Sequence, residues 1–285
     1  NIYDRNGIIL AASVNSKSLS ARPFLIENIE DLSKKLEKII KIDKDIIKKK
    51  LSSNSKFVWL KRNITPLEQQ KIIDLGEIHL EFINETKRIY PLQNSASHLV
   101  GFVNIDQNGQ SGIERFYNKS LLNSEEIILS IDINLQQSIR KNLIQTVNHF
   151  RADSGLAIVL DISNGEILSS VSYPDFNPND KEDINEVNLI NRVIQSNYEM
   201  GSTFKPLTVA NGYDYGIISP DMIFDIKKSI KGVRDHNIYK DDGLYNAEKI
   251  VIESSNIGAA KIALKIGKKN QKEFLKKLGF FKKLD

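Results

Sequence analysis

The spacing of apolar positions changes character near residue 125. Before it, short apolar runs alternate with turn signals, and the region reads as mixed but β-leaning. Asp4-Arg5-Asn6-Gly7 is a turn that leads into a strand at Ile8-Ile9-Leu10. Leu32, Leu36, Ile39, Ile40, Ile46 and Ile47 recur at helical spacing, with a break expected near Asp43. Phe57 to Leu60 reads as a short strand. Thr65-Pro66-Leu67-Glu68 then offers a capping box with proline at the first helical position, so a helix starts there and ends near Gly76. After Asn123 the signals strengthen. Ile127 to Ile131 predicts a strand, and Leu135, Ile139, Leu143, Val147 and Phe150 predict a long amphipathic helix. Two apolar runs around Ser163-Asn164-Gly165 then predict a tight hairpin in which Asn-Gly supplies positive φ.

This order predicts an α+β fold: a β-rich N-terminal domain over residues 1–125, then a second domain over 126–285 with an antiparallel sheet packed by helices. The 285 residues and 40% hydrophobic content are enough for two cores. The net charge of +4 is small, and the lysines lie on helix-like stretches without interleaved aromatics, so no nucleic-acid partner is expected. With no cysteine there is no disulfide framework, thiol nucleophile or cysteine-based zinc site. The four histidines lack ligand-like spacing, so no metal site is expected. No apolar run approaches the length of a membrane span.

The candidate chemistry sits at Tyr198-Glu199-Met200-Gly201-Ser202-Thr203-Phe204-Lys205-Pro206. A serine and a lysine three apart on a helix share a face, so the lysine can reach the hydroxyl. Gly201 and Pro206 place Ser202 in the first turn, where peptide N–H groups lack intrahelical acceptors and can stabilise an oxyanion. To act as a base, Lys205 must lose its proton, which requires burial or a neighbouring cation. The spacing alone is weak, because Ser53-Asn54-Ser55-Lys56 and Ser138-Ile139-Arg140-Lys141 share it. Ser202 is distinguished by its helix-start context and by Ser254-Ser255-Asn256, which falls between two helix-like stretches. There Ser254 can relay a proton, and Asn256 can hold Lys205 and a substrate amide.

Taken together, these motifs resemble the penicillin-binding transpeptidases, whose signatures are S-x-x-K, S-x-N and K-[ST]-G. The resemblance runs through Asp4-Arg5-Asn6-Gly7, Arg88-Ile89-Tyr90-Pro91, His98-Leu99-Val100-Gly101, Gly112-Ile113-Glu114, Leu129-Ser130-Ile131-Asp132 and Pro174-Asp175-Phe176-Asn177-Pro178-Asn179. It identifies residues 1–125 as the pedestal (dimerisation-like) domain of the class B proteins and 126–285 as the start of their transpeptidase domain. The pedestal blocks and the short connection from Leu121 to Ile128 look most like the division-specific enzymes, with the elongation-specific paralogue as the alternative.

The resemblance implies a D,D-transpeptidase with Ser202 as nucleophile, Lys205 as base, Ser254 as proton relay and Asn256 on the substrate. It acts on peptidoglycan stem peptides, is acylated by β-lactams and needs no cofactor. It further implies division-complex membrane partners, including a glycosyltransferase. The expected location is the periplasmic side of the inner membrane, with an anchor upstream of Asn1. No Lys-Ser-Gly or Lys-Thr-Gly occurs in the chain. Truncation at both ends is therefore expected, along with inactivity of this piece by itself. Within the pedestal, Arg88, His98 and Glu114 are expected to tie it to the catalytic domain. Asp235 and His236 are expected to give support rather than transfer protons, and Trp59 is expected in the core. The rivals are a non-catalytic division scaffold and a β-lactamase, for which the pedestal has no use.

Overall fold

The computed structural model describes residues 1–285 except 181, 231, 237–241 and 284–285. It is a mixed α+β structure that separates into two compact units, Asn1–Ser196 and Asn197–Asp285.

In the first unit, β1 (Ile2–Tyr3) turns through Asp4 into β2 (Ile9–Ala21). The fully buried Asp4 carboxylate organises that turn, accepting from the N–H groups of Asn6 and Ile8 at 2.8 Å. Its other oxygen accepts from the N–H of Ile133 at 3.2 Å. Next come α1 (Ile29–Ile40) and α2 (Lys44–Leu51), separated where the apolar pattern breaks. Lys41 turns left-handed (φ 54°), and Asp43 caps α2 by accepting from the N–H groups of Asp45 and Ile46. After β3 (Val58–Ile64), Thr65 and Glu68 form the expected capping box for α3 (Pro66–Ile73), which stops three residues before Gly76.

The strand β4 (Leu80–Ile89) runs antiparallel to β2 from Ala12↔Ile89 to Ala21↔Leu80. The sequence reading stopped the strand at Leu10, because residues 13–18 are almost all polar. The ladder to β4, not hydrophobic alternation, extends it. Leu19, Leu36, Ile40, Ile47, Leu51, Leu60 and Ile72 fill the core between the sheet and the first three helices. Trp59 lies outside that core, correcting the expectation. It is half-buried, edge-on to Phe57 at 5.0 Å, with the Arg62 guanidinium 5.5 Å above its ring.

Three short helices follow: α4 (Ser97–Val100), α5 (Gly112–Phe116) and α6 (Asn118–Leu122). Gly101 and Gly112 allow two backbone segments to touch. A Cβ on Gly101 would sit 1.9 Å from the Ser111 carbonyl oxygen, and one on Gly112 would sit 2.5 Å from that of Leu99. Here Arg88 Nε donates to Glu114 at 2.7 Å, with both side chains almost wholly buried. This pair fastens β4 to α5 inside the N-terminal region, so, contrary to expectation, it does not tie that region to the part beyond residue 125. His98 does reach past residue 125: its Nε2 lies 2.7 Å from the Asn188 carbonyl oxygen, and its ring meets Phe176 edge-on.

The strand predicted at Ile127 to Ile131 is regular only over β5 (Ile127–Ile128), which pairs parallel with β1. α7 (Ile133–Phe150) then packs on the antiparallel pair β6 (Gly155–Leu160) and β7 (Ile167–Tyr173). The connecting loop is looser than an Asn-Gly turn. Only Gly165 takes positive φ (80°), and its N–H donates to the Asp161 carbonyl at 2.8 Å. The Asp161 and Asn164 side chains accept the N–H groups of Ser163 and Glu166 and stabilise this wider form. Two single turns, α8 (Glu186–Leu189) and α9 (Arg192–Gln195), complete the unit.

The second unit holds α10 (Lys205–Asp214), the short pair β8 (Phe224–Asp225) and β9 (Leu244–Tyr245), α11 (Ala247–Ile252) and α12 (Asn256–Lys277). Ile226, Tyr245, Ile250, Ile257 and Ile262 form its core. Gly258 brings α12 against Ile250, whose side chain would lie 2.5 Å from an added Cβ. Among the described residues no helix is long and apolar enough to cross a membrane.

Candidate active site

Met200 leads into a single 3-10 turn, Gly201–Phe204, and the α-helix begins only at Lys205. Ser202 therefore sits one turn ahead of α10 rather than within it. Residues three apart eclipse one another in a 3-10 turn, and Lys205 Nζ lies 3.0 Å from Ser202 Oγ. Gly201 supplies φ of +54° at the start of the turn. No atom lies within 4 Å of where its Cβ would be, so backbone conformation and not space requires glycine.

The opposite side of the lysine is supplied by the corner between α11 and α12. Ser254 adopts a left-handed conformation (φ 52°), which turns both its carbonyl and its hydroxyl onto Lys205. The hydroxyl accepts at 2.9 Å, and the carbonyl makes a closer contact. Lys205 Nζ thus bridges the two hydroxyls. Burial pushes its pKa below the ordinary lysine value, against the Asp235 carboxylate, which favours the charged form. Ser202 is exposed.

Asn256, the first residue of α12, donates its amide to the Arg234 carbonyl at 3.0 Å. Among the described residues the hydrogen bonds of Lys205 go to Ser202 and Ser254, so the expected Asn256–Lys205 contact is not part of this arrangement. Asp235 accepts from the Ser255 hydroxyl at 2.7 Å, from the Ile257 N–H at 3.0 Å and from the Asn256 N–H. Its position between the two motifs gave the sequence reading a supporting role but no partner. No hydrogen bond joins Ser53 to Lys56 or Ser138 to Lys141 among the described residues; the Ser53 hydroxyl donates to the Lys50 carbonyl instead.

Chemically, a lysine with a depressed pKa, hydrogen-bonded to an exposed serine at a helix start and to a second hydroxyl, is an arrangement for activating a nucleophile and relaying its proton.

Comparison with known proteins gives the same picture along the chain. Residues 1–142 match the family model described as the penicillin-binding protein dimerisation domain, and 155–285 match the penicillin binding protein transpeptidase domain. The peptidoglycan D,D-transpeptidase FtsI of Buchnera aphidicola subsp. Schizaphis graminum is 33% identical, with 92% of this chain and 52% of the relative aligned. FtsI of Escherichia coli is 29% identical over 92% of this chain and 50% of its own length. The probable peptidoglycan D,D-transpeptidase PenA of Neisseria meningitidis is 28% identical over 98% of this chain and 53% of its own. The chain thus spans about half the length of these curated relatives. A crystal structure of a peptidoglycan synthetase from Bifidobacterium adolescentis shares the fold, with a TM-score of 0.68 at 21% identity, covering 98% of this chain and 61% of that one. With a dimerisation domain followed by a transpeptidase domain in matching order, the chain belongs to the class B penicillin-binding proteins.

Proposed function

We propose that this chain carries the nucleophile and base of a serine D,D-transpeptidase that cross-links peptidoglycan. The observation that supports this reading most directly is the Lys205 amine bridging the hydroxyls of Ser202 and Ser254. Neutral Lys205 takes the Ser202 proton as Oγ attacks the carbonyl between the terminal D-alanines of a stem peptide. The C–N bond breaks, and the departing D-alanine takes its proton through Ser254. An amine of a neighbouring stem peptide then attacks the ester carbonyl, forms the cross-link and returns the proton to Ser202. Asn256 orients the substrate amide. β-Lactams enter as mimics of the D-alanyl-D-alanine end, and their ester hydrolyses slowly.

In the whole protein this activity belongs to septal wall synthesis on the periplasmic side of the inner membrane, beside a glycosyltransferase and other division proteins. The resemblance of the pedestal blocks and of the short Leu121–Ile128 connection to the division-specific enzymes supports that role. The experiment is intact-mass measurement of the full-length protein after incubation with benzylpenicillin. A stable one-to-one adduct that vanishes in Ser202→Ala supports the reading. A folded wild-type protein that forms no adduct overturns it and leaves the scaffold role.

A further inference from the structure

The corner that presents Ser254 to Lys205 is closed on the α11 side by its own backbone, where the Ser254 and Ser255 N–H groups donate to the Val251 and Ile250 carbonyls at 3.1 and 2.9 Å. Ser254 sits at φ 52°, a conformation that non-glycine residues adopt at a cost, and it is followed at once by the first turn of α12. On the α12 side the corner is fastened by Asp235, a residue of neither motif. One carboxylate oxygen accepts from the Asn256 and Ile257 N–H groups, and the other accepts from the Ser255 hydroxyl at 2.7 Å. The buried Ser255 in turn accepts from the Gly258 N–H at 2.9 Å, so its side chain links the carboxylate to the helix start. The two free N–H groups and the dipole of α12 favour a negative charge at this point.

We propose that Asp235 is a positioning residue for acyl transfer. By clamping Ser255, Asn256 and Ile257 it holds Ser254 in the left-handed conformation that aims its hydroxyl and carbonyl at Lys205. The inference rests on the transpeptidase reading of the site and adds to it a residue that acts through Ser254. The carboxylate also acts on the base itself. Among the described residues it is the charged group whose field reaches Lys205, where it favours the ammonium form and opposes the effect of burial.

Two consequences can be separated. Removing the clamp lets Ser254 relax and lowers the plateau rate of acylation. Removing the charge alone lowers the Lys205 pKa, enlarges the neutral fraction at a given pH and moves the acid limb of the rate profile to lower pH. A group that only stabilised the fold would change the melting temperature and leave that limb in place.

The test uses the full-length protein and stopped-flow acylation by a chromogenic cephalosporin from pH 5 to 10, with melting temperatures recorded alongside. Asp235→Ala is expected to lower the plateau acylation rate on the order of 100-fold, the scale of a misplaced catalytic group. Asp235→Asn can still accept from the N–H groups of α12. It is expected to fold normally, lose less of the plateau and shift the acid limb to lower pH. Both variants acylating at the wild-type rate, with an unmoved acid limb, would overturn the positioning role while leaving the nucleophile intact. A plateau loss that tracks the melting temperature, again with an unmoved limb, would also overturn it. A wild-type protein that is not acylated at all would instead bring down the transpeptidase reading, and this inference with it.

Discussion

Lys205 and Ser254, 49 residues apart in sequence, meet at 2.9 Å through Nζ and Oγ. The lysine belongs to the first turn of α10 and the serine to the corner before α12, and the two helices pack directly on each other. The depressed basicity of the amine goes with the burial this packing gives, whereas its closeness to Ser202 comes from the 3-10 turn.

A pH dependence follows from that geometry. Burial lowers the Lys205 pKa, and the Asp235 carboxylate only partly offsets the effect. On the proposed mechanism, in which the neutral amine is the base, the acylation rate is expected to rise with pH and level off below the roughly 10.4 of a free lysine. As pH falls through the Lys205 pKa, the rate is expected to fall with the neutral fraction. In Lys205→Arg the guanidinium stays charged at every pH, so acylation is expected to drop on the order of 10²–10⁴-fold with no titration left. Stopped-flow acylation across pH checks both.

The buried Arg88–Glu114 pair predicts an asymmetry in stability. Glu114→Gln leaves a guanidinium in a site only 6% exposed and is expected to cost about 3–5 kcal/mol of unfolding free energy. Replacing both residues with methionine strands no charge and is expected to cost less than the single change. Urea unfolding of the two variants measures the difference.

His98 is held neutral, its pKa lowered chiefly by burial. The unfolded chain therefore takes up its proton first on acidification. Stability from this group is complete above an unfolded value of about 6.5 and is lost as pH falls toward the lower folded one. Thermal unfolding is expected to show a drop between pH 7 and pH 5 that His98→Gln reduces, since the glutamine amide can still donate to the Asn188 carbonyl.

Gly101→Ala is expected to destabilise the first unit by about 3 kcal/mol, because its Cβ would meet the Ser111 carbonyl at 1.9 Å and φ is +81°. Gly165→Ala has open space around the added Cβ and strains only φ (+80°), so it is expected to cost less. Denaturation midpoints of the two variants test the ordering.

Local chemistry was legible wherever it decided the outcome. The Thr65–Glu68 capping box, the Asp43 break and the 18-residue α7 all depend on neighbours within a few positions, and all were readable from residue type and spacing. The serine–lysine pairing was readable for the same reason, since residues three apart share a face in either kind of helical turn.

Tertiary structure decided what depends on distant partners. Polar residues 13–18 became strand because β4 lies beside them. Trp59 stayed half-buried because Phe57 and Arg62, not the core, cover it. Arg88 and Glu114 were expected to tie the N-terminal region to the part that follows it, but the close approach permitted by Gly101 and Gly112 pairs them with each other within one region. The sequence by itself singled out Ser202, Lys205, Ser254 and Asn256 as the candidate residues, because reactivity resides in side-chain type and short spacing. Only the tertiary structure decided that Ser254 turns onto Lys205, that Asn256 bonds Arg234 instead, and that Asp235 holds the corner. Those contacts close loops of 20 to 49 residues, and no local propensity encodes them.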